Sequence, residues 1–218
     1  MKILLIGAVA LLLLFVTAMA VFVFVVQNVE TPEYRVVEQD GPFEVRDYPP
    51  LVVAEVTTRG GRQKALSAGF SPLANYIFAK ERAGDRVSMT APVIQQRAEP
   101  IAMTVPVTQS QDADGVWTVR FIMPARYSLE DLPAPAGAEV RLRELPARRS
   151  AVVRFNGRTT DESIEVQEDA LREWIDARGL CPAAPPVYAY YNDPFTPGFL
   201  RRNEVMIDDT DAVPEVIN

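Results

Sequence analysis

The chain repeats itself. Arg46-Asp47-Tyr48-Pro49 returns 97 positions later as Arg143-Glu144-Leu145-Pro146, and each copy leads into an apolar run, Leu51 to Val56 and Ser150 to Phe155, followed by a glycine, Gly60 and Gly157. Further on, Leu73, Tyr76 and Ile77 are matched by Leu171, Trp174 and Ile175 at an offset of 98, as a one-residue insertion would produce. Strand, glycine turn and helix in the same order twice imply one supersecondary unit used twice about a pseudo-twofold axis.

Local patterning agrees. Ala151, Val153 and Phe155 alternate with Arg154 at the period of a half-buried strand. Val166, Ala170, Leu171, Trp174 and Ile175 recur at helical spacing, with Gly179 as the stop, and Leu66, Phe70, Leu73 and Ile77 form the corresponding stripe in the first copy, where Pro72 should kink or restart the helix. Further strands are expected over Val87 to Ile94, Ile101 to Thr108, Val116 to Met123, Ala138 to Arg143 and Val187 to Tyr191. Most connections are too short for helical crossovers, so pairing should be antiparallel. The expected fold is α+β: a distorted antiparallel β-barrel built from a duplicated unit, with two flanking helices.

An appendage precedes it. Ile3 to Val26 is 24 residues without a charge, enough at about 1.5 Å per residue to cross a hydrocarbon layer of about 30 Å. Ala18-Met19-Ala20 resembles a signal-peptide cleavage site, yet cutting there would leave Val21 to Val26 exposed, which favours an uncleaved anchor. Lys2 before the stretch and Glu30 and Glu33 after it place the globular part outside the cytoplasm, on a periplasmic or extracellular face. The expected organisation is an anchor over 1–28, a domain over 31–208 and an acidic tail over 209–218.

Composition narrows the chemistry. A net charge of −7 argues against nucleic acid as a partner. The chain has no histidine, which removes the usual neutral-pH base, the Ser/His and Cys/His pairs and the commonest haem ligand. Its single cysteine, Cys181, excludes an intramolecular disulfide and cysteine-cluster metal sites. Met89-Thr90-Ala91-Pro92-Val93 and Met103-Thr104-Val105-Pro106-Val107 form a shorter echo, better explained by packing than by metal ligation. Arg201-Arg202-Asn203-Glu204 reads either as a carboxylate-binding patch, with Glu204 as a lone proton acceptor, or as a salt-bridge network pinning the last strand. Tyr188, Tyr190, Tyr191 and Cys181-Pro182 are the remaining conceivable iron ligands. No nucleophile and base can be paired, so an enzyme is not expected, a Glu204-dependent hydrolase least of all.

Several segments, taken in order, resemble the SOUL haem-binding protein family. They are Phe43 to Tyr48, Gly69-Phe70 with Leu73 and Tyr76-Ile77, the Met-Thr-x-Pro-Val strand, Phe121-Ile122-Met123-Pro124, and Asn192-Asp193-Pro194 leading into Arg201-Arg202-Asn203-Glu204-Val205. The resemblance runs from about Glu33 to Ile207 and implies a distorted antiparallel barrel with two helices. It also implies binding of haem or another tetrapyrrole in a shallow apolar groove. Carried over by position, the cofactor-binding residues are Ser67, Phe70, Ala74 and Asn75 on the first helix, Phe195, Thr196 and Phe199 on a late loop, and Arg201 and Arg202, with Arg62 and Lys64 as further propionate partners. This chain departs from the family where some members carry basic helix residues, here Ser67 and Asn75, and it lacks the axial histidine of part of the family. Met206 stands where a tryptophan is common.

Burial of about 400 Å² of porphyrin surface at about 25 cal/mol per Å² is worth about 10 kcal/mol before association costs, so binding without an iron ligand is physically reasonable. Two other readings remain. The fold is also similar to effector-binding domains of the gyrase-inhibitor-like group, which implies another apolar small ligand, and a membrane-anchored interaction module with no small ligand is the third. Protein partners are not specified by the sequence.

Overall fold

The computed structural model describes residues 7, 11–14, 17, 29–80, 83–97, 115–182, 184–192 and 196–209. The strand expected over Ile101 to Thr108, Met103, Phe195, most of the Ile3 to Val26 stretch and the tail beyond Asp209 lie outside them. Among the described residues, no helix is long and apolar enough to cross a membrane.

The echo is a structural repeat. Gly60 and Gly157 hold φ values of 122° and 120°, a region that side chains rarely adopt, at the same point of each copy. The strands are β1 (Arg35–Asp40), β2 (Phe43–Tyr48), β3 (Leu51–Arg59), β4 (Val93–Arg97), β5 (Val116–Ile122), β6 (Arg141–Leu145), β7 (Arg148–Phe155), β8 (Val187–Tyr190) and β9 (Asn203–Asp208), with helices α1 (Arg62–Ile77) and α2 (Asp161–Arg178). They form one nine-stranded sheet in the order β1-β2-β7-β9-β8-β4-β5-β3-β6, antiparallel throughout. With β1 set aside, the order reads the same from either end when each strand is replaced by its repeat counterpart: β2 by β6, β7 by β3, β9 by β5, β8 by β4.

Consecutive strands β2 and β3 do not pair. β2 pairs with β7 and β3 with β6, so each repeat lends its first strand to the other, and Tyr48 opposite Arg148 is the counterpart of Leu145 opposite Leu51. Following the pairing outward makes Gln95 the counterpart of Tyr188; these two stand directly opposite each other, where the axis passes.

The core has three parts. Val45, Ala151, Val153, Val205 and Ile207 pack under Leu171, Trp174 and Ile175 of α2. Ala54, Val56, Val119 and Phe121 pack under Leu73, Tyr76 and Ile77 of α1. Val53, Ile94, Ile122, Val152, Val187 and Met206 fill the space between the two half-sheets, so the sheet curls upon itself. It does not close: β1 and β6 remain as edges, which corrects the expected barrel. Both edges carry features that resist pairing, a bulge between Val36 and Glu38 in the exposed β1 and charges at Arg141, Arg143 and Glu144 in β6.

Details of the helices also differ from expectation. α1 runs unbroken through Pro72, because the carbonyl its missing N–H would have bonded belongs to exposed Ala68 and can turn to water. Its buried face is Ala65, Gly69, Leu73, Tyr76 and Ile77, which leaves Phe70 40% exposed. In α2, Thr160 Oγ1 accepts from Ser163 N–H at 3.1 Å as the N-cap, Gly179 ends the helix at φ 67°, and Val166 lies outside the core. The expected strand at Val87 begins regular pairing only at Val93, and that at Ala138 begins at Arg141.

Candidate functional site

Gly69 sets α1 close against the sheet: a Cβ there would lie 2.6 Å from Val119 Cγ2. The close approach turns Ser67 and Phe70 outward, with Ala74 and Asn75 half-buried beside them. Ser67 Oγ donates back to the Gln63 carbonyl, and the Phe70 ring stands edge-on to Phe121 at 5.2 Å. Phe70 is therefore braced from below by an aromatic side chain while its other face is open to solvent.

The late loop carries the 3-10 turn Gly198–Leu200. Phe199 is 75% exposed and Leu200 41% exposed, whereas Thr196 is buried. The turn is held by the loop between β7 and α2: Gly157 N–H donates to the Gly198 carbonyl at 3.0 Å, and Asn156 Nδ2 donates to the Phe199 carbonyl at 3.1 Å. The same loop grips the start of α1, with Arg62 Nη2 and Gln63 Nε2 both donating to the Thr159 carbonyl, at 2.7 and 2.9 Å. The helix face and the turn are thus fixed to one common support. Among the described residues, no hydrogen bond or ring contact links Ser67, Phe70 or Ala74 to Phe199.

The basic candidates divide. Arg62 is committed inward, to Asp161 Oδ1 at 2.8 Å and Tyr190 Oη at 2.7 Å, and Arg202 donates to Glu204 Oε1 from both Nε and Nη2, at 3.0 and 2.8 Å. Arg201 Nε donates to the Thr196 carbonyl at 2.7 Å and so shapes the turn from within. Lys64 is exposed on the first turn of α1.

Glu204 is the hub of a buried network. It is fully buried, and Arg46, also fully buried, donates Nη1 to Oε2 at 2.9 Å and Nη2 to Oε1 at 3.2 Å; Tyr191 Oη adds a bond to Oε2 at 2.8 Å. Arg46 also bonds Glu44 and Tyr48 and lies 4.2 Å from the Tyr34 ring centre. Burial alone would push the Glu204 carboxyl up; Arg46 first, then Arg202 and the Tyr191 hydroxyl, reverse this and hold it below the usual carboxylate range. Of the two readings of Arg201 to Glu204, the salt-bridge network is the one present.

The three tyrosines of the last strand region offer no ready axial ligand. Tyr188 Oη donates to Glu168, Tyr190 Oη to Gln95 and Tyr191 Oη to Glu204, and burial raises the pKa of each phenol, away from the tyrosinate that iron requires. Cys181 is exposed at the isolated bridge between Pro182 and Asp209. The apolar groups suit a flat hydrophobic ligand; the donor set does not suit an iron ligated by the protein. Leu200 and the supporting Phe121 were not singled out by sequence reasoning, although an apolar pair inside a Pro/Gly-flanked turn, Phe199-Leu200, is a readable signal. Arg46, 158 positions from Glu204, left none.

A separate cleft of about 280 Å³ lies beside the start of α1, lined among others by Gly60, Arg62, Trp117, Glu168 and Tyr188.

A family model described as SOUL heme-binding protein matches residues 29–208. No curated protein matches the sequence. Among solved structures, the EcmrR C-terminal domain is similar at 11% identity and a TM-score of 0.55, over 82% of this chain and 99% of that one. EcmrR in a complex with DNA is similar at 11% identity and a TM-score of 0.54 over 77% of this chain, which spans only 57% of the EcmrR chain. A hydrolase from Listeria innocua matches at 14% identity and a TM-score of 0.52, over 80% and 94% of the two chains. At these identities the likenesses show a shared fold and nothing about ligand or activity.

Proposed function

The chain belongs to the SOUL heme-binding protein family, and on that premise we propose that it is a membrane-tethered binder of haem or a related tetrapyrrole, held by apolar contact without an axial histidine. The macrocycle lies against the outer face of α1, on Ser67, Phe70, Ala74 and Asn75, with Phe199 and Leu200 of the late turn as the opposing wall and Thr196 beside them; Phe195 joins them by the resemblance alone. The observation that carries this reading is the exposed Phe70 braced on Phe121, on a helix whose start is gripped by the same loop that holds the turn presenting Phe199 and Leu200 to solvent. An isolated exposed phenylalanine is unremarkable; two phenylalanines and a leucine on elements with a common support suit a planar apolar ligand. Lys64, exposed on the first turn of α1, is the first propionate partner, with Arg201 beside the turn as the second. The tether is the uncharged stretch from Ile3 to Val26.

Titration of the full chain in detergent with haem, against protein-free micelles, tests this. A saturable Soret change weakened about tenfold or more by Phe70→Asp, a loss of about 1.4 kcal/mol or more, is expected. A variant that titrates like the parent would end the groove reading.

The cleft beside the start of α1, with Trp117 and Tyr188 in its lining, supports a second reading, another apolar small molecule. Its volume of about 280 Å³ lies just under the about 300 Å³ at which ligand pockets usually begin, so it suits a one- or two-ring compound between Trp117 and Tyr188. Trp117→Ala would abolish such binding and leave the Soret titration unchanged.

A further inference from the structure

The first described residues of the domain do not hang free. The Glu30 carbonyl accepts from Ala91 N–H at 2.9 Å, and its carboxylate accepts from Ala125 N–H at 2.8 Å. Residues 30–33 then run along a crevice formed with Pro49, Pro50, Pro124 and Tyr127. Val26, the last residue of the apolar run before Gln27, is four positions before Glu30, a reach of at most about 14 Å for a fully extended chain. Whatever surface surrounds Ala125 must therefore lie close to the layer in which that stretch resides.

That surface can be identified. Ala125 follows the end of β5 and opens the loop 124–133, and this loop is tied to the C-terminal end of α1: Tyr76 Oη donates to the Pro133 carbonyl at 2.9 Å, Arg126 Nη2 reaches Ser88 Oγ at 3.3 Å, and Val87 N–H donates to the Ile77 carbonyl at 2.8 Å. Two large apolar side chains stand exposed there, Phe78 at the helix end, 41%, and Leu129 in the loop, 39%. The start of α1 lies at the other end of the same strand, where Gly60 N–H bonds the Gly115 carbonyl just before β5.

We propose that this end of the domain is a bilayer-contacting surface: Phe78 and Leu129 rest in the headgroup region of the membrane that holds the protein's own N-terminal segment. The inference rests on the tether of the preceding section, and not on the tetrapyrrole. The pinned Glu30 orients the domain on its tether, so α1 points its C-terminus at the lipid and its N-terminus away. Apolar side chains of this kind gain by leaving water for the interface, and the short reach makes the contact intramolecular in effect.

The test uses the full chain in phosphatidylcholine vesicles containing a nitroxide-headgroup lipid. In a Cys181→Ser background, single cysteines at Phe78→Cys, Leu129→Cys and Lys64→Cys carry an environment-sensitive fluorophore. Positions 64 and 78 are separated by about 21 Å along the helix at about 1.5 Å per residue. Labels at 78 and 129 are expected to be quenched several-fold more than the label at 64. Equal quenching at all three in protein that co-floats with the vesicles at its full mass would overturn the orientation while leaving the tether. Protein that fails to float, or whose mass shows a lost N-terminus, would overturn both. Leu129 sits in a loop, so its label reports even where Phe78→Cys impairs folding.

Discussion

Arg46 and Glu204 meet as a bidentate pair, 2.9 and 3.2 Å, with neither side chain reached by solvent. One comes from β2 and the other from β9, and β7 runs between them. The pair thus clamps a strand borrowed from the first repeat to the last strand of the second. Removing the cation leaves a buried carboxylate with Arg202 as its remaining charge partner, so Arg46→Leu should cost about 3 kcal/mol, the lower end for a broken buried pair. Urea unfolding measures it, and Glu204→Gln combined with Arg46→Leu should be less damaging than the sum of the two.

The same clamp sets the acid limit. The carboxyls of Glu204 and Asp47 both sit below their ordinary range in the folded chain, Glu204 because Arg46 outweighs its burial, Asp47 because Arg149 first and Arg35 next hold its anion. Groups with depressed folded values contribute stability that is complete above their unfolded values, near about 4, and is lost as pH falls through the folded ones. Stability should be flat from neutrality down to about pH 5 and drop steeply below about pH 4. Asp47→Asn and Glu204→Gln should each lower the neutral plateau and flatten the acid slope, which thermal unfolding across pH would record.

Gly69→Ala tests the seat of α1. Its Cβ would meet Val119 Cγ2 at 2.6 Å and Cβ at 2.7 Å, backed by sheet, so the helix must lift. A loss of about 1 to 3 kcal/mol is expected, recovered in part by Val119→Ala, with denaturant midpoints as the measurement.

The repeat itself is testable at Gly157. With nothing within 4 Å of an added Cβ, the penalty of Gly157→Ala is purely the φ of 120°, about 1 to 3 kcal/mol. Gly60→Ala, at φ 122°, should match it. Equal losses in urea are predicted; a silent Gly157→Ala would mean that the turn relaxes.

The duplication, the two helices and the antiparallel pairing were legible because each rests on local periodicity or on an echo in the letters. What was not legible depends on partners far apart in sequence. The closure of the sheet turns on whether β1 and β6 meet, and nothing in Arg35 to Asp40 or Arg141 to Leu145 says how far the sheet curls. The stripe of α1 was read one step around the helix, because Phe70 looks like core by composition, whereas Gly69 occupies the contact. Glu204 looked ambiguous beside Arg201 and Arg202; its deciding partner, Arg46, lies in the other repeat. The site residues came through resemblance, and the structure adds that Arg62 and Arg202 are engaged inward.

The proposed tetrapyrrole site grips apolar surface and not iron. Parallel titrations of the full chain with haem and with iron-free protoporphyrin test it most directly. Affinities equal within about threefold, a difference below about 0.7 kcal/mol, are predicted; a preference for haem of a hundredfold or more, or no saturable binding of either, would contradict it.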